Sequence, residues 1–324
     1  MFDVITIGAA TRDVFLISKE FQIINSPQFS TGQGECVALG SKIDVDNIVF
    51  STGGGATNAA ATFAKLGFAT SIVTRIGKDD PGTAITTELS SFGVNTELIY
   101  VATKETTAYS TLLTAKNGER SVLVYRGASS SFTPRDIPWK NLSAQWLYVT
   151  SLAGNIELLQ KLLVHAKKHN IKVALNPGRG ELKRAVELRE LLSSLSVLIV
   201  NVEEAQMLTE TEEKDGAKLC KLLAYPGLHV IVTNGSRGAH AHKDGQTWFA
   251  RTSGAKSVSR TGAGDAFGSG AVAALAKNLE LDIALKIGTM NAESVIQSFG
   301  AKTGILKKWP TKQQLSLISV KLVK

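Results

Sequence analysis

An aspartate set among glycines at the head of a helix is the feature of this sequence best suited to chemistry. Ser259-Arg260-Thr261-Gly262-Ala263-Gly264-Asp265-Ala266-Phe267-Gly268-Ser269-Gly270 runs into Ala271-Val272-Ala273-Ala274-Leu275-Ala276, an alanine-rich run of strong helix propensity. Glycines at a helix start leave backbone N–H groups bare, and the helix dipole adds partial positive charge, so the place suits a phosphate. A carboxylate repels a phosphate, so Asp265 needs a reason to be there. One reason is a general base that takes the proton of a hydroxyl attacking a phosphoryl group. The other is a carboxylate that complements the helix dipole in a small-residue packing turn. Two better-known glycine motifs do not apply. Gly262-x-Gly264-x-x-x-Gly268 is not the dinucleotide fingerprint G-x-G-x-x-G, and no G-x-x-x-x-G-K-[ST] occurs.

Four other stretches carry candidate groups, each with a plainer alternative. Asp13 follows a short buried strand, Phe2 to Gly8. It falls where a carboxylate can accept hydrogen bonds from substrate hydroxyls, or where it merely caps a turn. Ser51 to Gly67 is a second glycine-rich start to an alanine-rich helix, with Gly53, Gly54, Gly55 and Asn58. Its missing side chains let a ligand approach the backbone, or let the helix pack closely on a sheet. Asn201-Val202-Glu203-Glu204 places an amide and the acid Glu204 where they could hold the water shell of Mg²⁺, or form a helix N-cap. Thr233-Asn234-Gly235-Ser236-Arg237-Gly238 is a glycine turn that passes under a nucleotide or simply joins two strands. The five histidines lack ligand spacing, and His240 and His242 read as surface positions.

The elements that must position these groups alternate strand and helix. Strands are expected at 69–76, 146–149, 171–175, 197–200 and 229–233, with edge strands at 238–242 and 247–250. Helices are expected at 155–169, 181–195, 202–208, 214–223, 264–277, 283–299 and 312–318. Such alternation predicts an α/β fold, a Rossmann-like, mostly parallel central sheet flanked by helices. Residues 107–115 and 120–126 alternate in polarity about Asn117-Gly118, a strong hairpin signal. With the short strands of 14–50, they predict a small sheet apart from the main one, a lid formed by about 12–50 and 104–128 on a single domain of 1–324.

Composition excludes several classes. The 324 residues are 44% hydrophobic and 20% charged, as in globular chains, and no apolar run approaches a membrane span. The net charge of +8 is scattered rather than clustered, which argues against nucleic acid as a partner. Two distant cysteines, Cys36 and Cys220, suit a reducing compartment, and the first residues read as a strand rather than a signal peptide. A cytoplasmic location is expected. Open strand edges on the lid would let two copies pair as a homodimer.

In this order the motifs resemble the ribokinase-like, or PfkB, family of carbohydrate and nucleoside kinases over nearly the whole chain. The resemblance rests on Gly8 to Asp13, Gly53-Gly54 with Asn58 and Ala59, Asn201-x-x-Glu204, Thr233 to Gly238, and Thr261-Gly262-Ala263-Gly264-Asp265. It implies MgATP-dependent phosphorylation of a hydroxymethyl group of a sugar beneath a β-lid. It further implies Asp265 as general base, with the N–H groups of Gly262, Ala263 and Gly264 as an anion hole. Asp13, Gly54, Gly55 and Asn58 would hold the substrate, and Asn201, Thr233, Gly235 and Gly238 would line the nucleotide. Glu204 would bear on Mg²⁺ through water. Ser259-Arg260 stands where many members carry Asp-Thr, which leaves a monovalent-cation requirement open. The strand at 146–149 is followed by Thr150 to Gly154 without the acid that ribokinases use for sugar. A nucleoside kinase, with Phe15, Phe29 and Tyr109 as candidates around a base, and a non-catalytic binding protein are the alternatives.

Overall fold

The computed structural model describes residues 1–29, 31–115 and 120–323. In chain order, β1 (Phe2–Ile7), β2 (Thr11–Ile17), β3 (Gln22–Asn25), β4 (Gln33–Cys36) and β5 (Asn47–Gly53) precede α1 (Gly55–Lys65). Next come β6 (Thr70–Val73), β7 (Arg75–Gly77), α2 (Asp80–Phe92), β8 (Tyr100–Ala102), β9 (Ala108–Thr114) and β10 (Arg120–Tyr125). The alternating part holds β11 (Ala144–Val149), α3 (Ile156–Lys168), β12 (Lys172–Leu175), α4 (Arg179–Leu182), α5 (Ala185–Leu191), β13 (Val197–Asn201), α6 (Val202–Thr209), α7 (Gly216–Leu222) and β14 (His229–Thr233). Last are β15 (Ala239–Lys243), β16 (Gln246–Ala250), α8 (Ala263–Ala276), α9 (Leu281–Val295), α10 (Lys312–Leu315) and β17 (Val320–Val323).

The main sheet has nine strands in the order β17-β16-β15-β14-β13-β12-β11-β1-β6. From β14 to β6 all pairings are parallel, while β15, β16 and β17 add on antiparallel. Successive strand residues point to opposite faces, so a strand covered on both sides must be apolar throughout. Leu147, Val149, Val173, Leu175, Leu198 and Val200 accordingly pack on α3 and α5 through Leu158, Leu162 and Leu188. Their neighbours Trp146, Tyr148, Ala174, Val197 and Ile199 pack on α1, α8 and α9 through Phe63, Ala271 and Leu285. Phe63 and Tyr148 meet edge to face, with ring centroids 5.5 Å apart. Losing so large a buried ring would cost about 3–5 kcal/mol.

A four-stranded sheet of order β10-β9-β2-β5 stands apart, with β2 parallel to β9 and the other two pairings antiparallel. The turn expected at Asn117-Gly118 lies outside the described residues. Among the described residues no helix is long and apolar enough to cross a membrane.

Four elements differ from expectation, one of them the helix read at 283–299, which spans Leu281–Val295. The strand read at 69–76 is split. Thr70–Val73 joins the main sheet, while Arg75–Gly77 pairs with β8. Arg75 turns away to meet Asp136 at 2.5 Å and Glu105 at 2.6 Å, and donates from Nε to Ala128 O. The helix read at 181–195 breaks at Lys183-Arg184, where Arg184 leaves helical geometry and pairs with Glu157 and Glu187. The helix read to Ile318 stops at Leu315, and the last residues form the edge strand β17, too short for its period to show.

Candidate active site

The site is assembled at the C-terminal edge of the parallel strands, where α/β sheets bind ligands. Gly262 caps α8 at φ 79°, a left-handed conformation that a side chain would strain, and a Cβ there would collide with Ala301. At the helix start the Ala263 N–H donates to Arg260 O at 3.3 Å. Among the described residues no acceptor meets the N–H groups of Gly262, Gly264 and Asp265, and the space beside Gly264 is open. A helix start with free donors and open space is suited to an anion.

Asp265, in the first turn of α8, accepts a 2.7 Å hydrogen bond from Asn58 Nδ2 on α1. Burial pushes its carboxyl above the ordinary carboxylate range, against the pull of the Asn58 amide and the Lys302 ammonium. Such a shift makes a carboxylate a better proton acceptor. Asp13 arrives from β2 and is only 6% exposed. Gly53, across the strand pair, admits it, since a Cβ at Gly53 would collide with Asp13 Oδ2. Burial pushes Asp13 up to about 6, although Ser110, Lys302 and Thr11 pull it down. No group among the described residues makes a hydrogen bond to its buried Oδ1. A buried acceptor without a donor is costly unless a ligand supplies one.

The glycines at the head of α1 make room first for the protein itself. Gly54, at φ 95°, has Ala9 and Ala10 where its Cβ would be, and Gly55 has Thr150. Close packing requires glycine at both. Asn201 and Glu204 form a reciprocal capping box on α6, each side chain meeting the other's backbone N–H at 2.8 Å. Burial raises the Glu204 carboxyl, and the nearby Asp265 charge raises it further. Thr233 ends β14, and Gly235 and Gly238 shape the turn after it at φ 50° and 99°. Residues 235–237 of that turn are exposed.

Some candidates are not brought to the site, and one group was missed. Phe15 is fully buried against Phe299, ring centroids 5.8 Å apart, so it does not line an open slot for a base. His242, expected at the surface, is buried with Nδ1 2.8 Å from Thr247 Oγ1, because α7 packs over its strand. Lys302 is the missed residue. Only 2% exposed, it follows α9 and reaches under α1, with Nζ 3.1 Å from Asn58 Oδ1. Nothing in the run Gly300-Ala301-Lys302-Thr303-Gly304 separates it from the other lysines of a basic chain.

The fold, with its flanked parallel sheet and separate small sheet, is that of the ribokinase-like carbohydrate and nucleoside kinases. The structure of a ribokinase from Cryptococcus neoformans in complex with ADP superposes with a TM-score of 0.75, at 21% identity over 98% of this chain and 99% of that one. A nucleoside kinase from Methanocaldococcus jannaschii gives 0.75 at 20% identity, covering 97% of each chain. Residues 2–308 match the description of the pfkB family carbohydrate kinases, and the chain belongs to that family. It is a phosphotransferase with an alcohol group as acceptor. Ribokinase of Haemophilus influenzae is 27% identical over 285 residues, 85% of this chain and 89% of that protein. Cytidine kinase of Thermococcus kodakarensis is also 27% identical, over 80% of this chain and 95% of that protein.

Proposed function

We propose that the protein transfers the terminal phosphoryl group of ATP to a hydroxymethyl group of a sugar, with Asp265 as general base. The observation that carries this reading is the 2.7 Å bond from Asn58 to Asp265 at the open start of α8. It ties Asn58 to Asp265, 207 positions away, beside the anion-suited turn that opens α8. The acceptor hydroxyl gives its proton to Asp265 as its oxygen bonds to the γ-phosphorus of ATP, while the bond from that phosphorus to the bridging β-phosphate oxygen breaks and ADP leaves. The N–H groups of Gly262 and Gly264 stabilise the charge on the phosphoryl oxygens, and Ala263 N–H joins them once it turns from Arg260 O. Asp13 Oδ1 accepts a hydrogen bond from a second substrate hydroxyl, which answers its missing donor. Asn58 orients the base, while Gly54 and Gly55 offer backbone rather than side chain to the sugar. Asn201, Thr233, Gly235 and Gly238 border the nucleotide.

Mg²⁺ prefers oxygen ligands and keeps most of its waters beside phosphates, where it offsets their charge. Among the described residues no group of three or more His, Cys, Asp or Glu could hold a metal. The donor set therefore fits an ion held by phosphate oxygens and water, with Glu204 reaching it through a water. The small sheet acts as a lid of about 12–50 and 104–128 on one domain of 1–324, and excludes water that would hydrolyse ATP. Its edge strands β5 and β10 expose Phe50, Leu123 and Tyr125, which favours pairing of two lids in a homodimer. Two unpaired cysteines favour the cytoplasm.

The test is ADP release from MgATP by wild type and Asp265→Asn across sugars, sugar phosphates and nucleosides. Stimulation by one sugar, lost in the variant, is the expected result. Stimulation by nucleosides alone would select the nucleoside kinase reading, and unchanged turnover in the variant would refute Asp265 as the base.

A further inference from the structure

Lys302 is a buried ammonium that the proposed chemistry does not yet use. Its Nζ is met by Thr52 O, by Asn58 Oδ1 at 3.1 Å and by Thr57 Oγ1 at 3.4 Å. Three acceptors match its three hydrogens. Glu88 Oε2 of α2 lies 3.9 Å away and is itself bound by Thr52 Oγ1. The same Asn58 side chain donates from Nδ2 to Asp265 Oδ2 at 2.7 Å. The result is an unbroken chain from ammonium through amide to the carboxylate of the base.

The two ends of that chain fix its direction. An ammonium can only donate, and an ionised carboxylate can only accept. With Lys302 on one side and Asp265 on the other, the Asn58 amide has one allowed orientation. A flipped amide would set Nδ2 against the ammonium and Oδ1 against the carboxylate. We propose that Lys302 is a positioning residue for phosphoryl transfer: it locks the Asn58 amide toward Asp265, and its charge keeps the crowded carboxylates of the site ionised. This rests on the kinase reading above and adds a residue to it.

The electrostatics agree with this geometry. Lys302 faces Glu88 from α2, Asp13 from β2 and Asp265 from α8, three acids around one cation. Its charge draws both Asp13 and Asp265 down, while burial drives both up. Asp265 also faces Tyr148 of β11 and Glu204 of α6, and neither is a cation. Burial lowers the Lys302 ammonium, and the three acids oppose that. Removing Lys302 would leave Asp265 with burial and no opposing cation nearby.

The experiment follows the carboxylate of Asp265 by ¹³C NMR against pH in wild type and Lys302→Met, together with kcat and KM for the acceptor against pH. The titration of Asp265 is expected to move up by about one pH unit or more on loss of an adjacent cation. The acid limb of kcat should move with it, and kcat should fall more than KM rises. Lys302→Gln, which can again donate to Asn58 Oδ1, should recover part of kcat above the limb without returning the limb. Should Lys302→Met fail to fold with Glu88 left unpaired, Lys302→Met/Glu88→Gln removes both charges, with Glu88→Gln as its reference. A folded variant whose Asp265 titrates as in wild type would overturn the proposal. If wild type phosphorylates no acceptor, the kinase reading fails, and the NMR titration still decides whether Lys302 governs Asp265.

Discussion

Asp13→Asn should make the unliganded protein more stable while it weakens substrate binding. Asp13 is ionised at neutral pH in a site that raises its pKa from 3.8 to about 6, chiefly by burial. A carboxyl whose folded pKa lies above its unfolded value costs the fold nothing below the lower value. The cost grows as pH rises between the two and is constant above the upper one. From 3.8 to about 6, the full cost is about 3 kcal/mol. The neutral amide keeps an acceptor for Ser110 and Thr11 and escapes this cost. The expected gain is therefore about 3 kcal/mol at pH 7.5 and about half of that at pH 5. For 324 residues that corresponds to a rise in Tm of about 4 °C at pH 7.5. Urea unfolding of both proteins at pH 7.5, 6 and 5 measures it, with binding of the acceptor sugar measured in parallel. A variant less stable than wild type at pH 7.5, or a difference that does not change with pH, would refute the account of Asp13 as a strained ligand-binding carboxylate.

Asp265→Asn is expected to lower kcat by about 10²–10⁴-fold with little change in sugar affinity, as for a lost general base, and isothermal titration beside the coupled assay separates the two. Because the raised Asp265 carboxyl must be ionised to act, wild-type turnover should fall as pH drops through a limb above the ordinary aspartate range; a flat profile down to pH 4 would contradict this. Glu204→Gln retains an N3 acceptor for the Asn201 N–H and so keeps α6, yet should raise the Mg²⁺ concentration for half-maximal rate on the order of 10-fold. Gly262→Ala must hold a side chain at φ 79° against Ala301; thermal melting should show a loss of about 1–3 kcal/mol. Intact stability would mean the start of α8 relaxes freely.

Local pattern was enough to reveal the architecture and the head of α8. The strands β11 to β14 are apolar on both faces, so period and length identify them as buried parallel strands without any knowledge of their partners. The glycines and Asp265 likewise announce themselves within one stretch of chain. Where an element ends was less legible, because the ends of β6 and of the helix near 181 depend on what Arg75 and Arg184 bind across the fold.

Sequence alone determined the α/β class, the place of Asp265 among its glycines and the order of the motifs, since each rests on residues close together in the chain. It left open what packs against Gly54, whether Asn201 capped a helix, and whether Asp13 was buried. Tertiary structure decided these, because they turn on which distant atoms fill the adjoining space: Ala9 at Gly54, the Glu204 N–H at Asn201, and Gly53 beside Asp13. It alone placed Lys302 beneath Asn58, 244 residues away. A lysine's role is set by its neighbours, and those neighbours come together only when β2, α1, α2 and α8 converge.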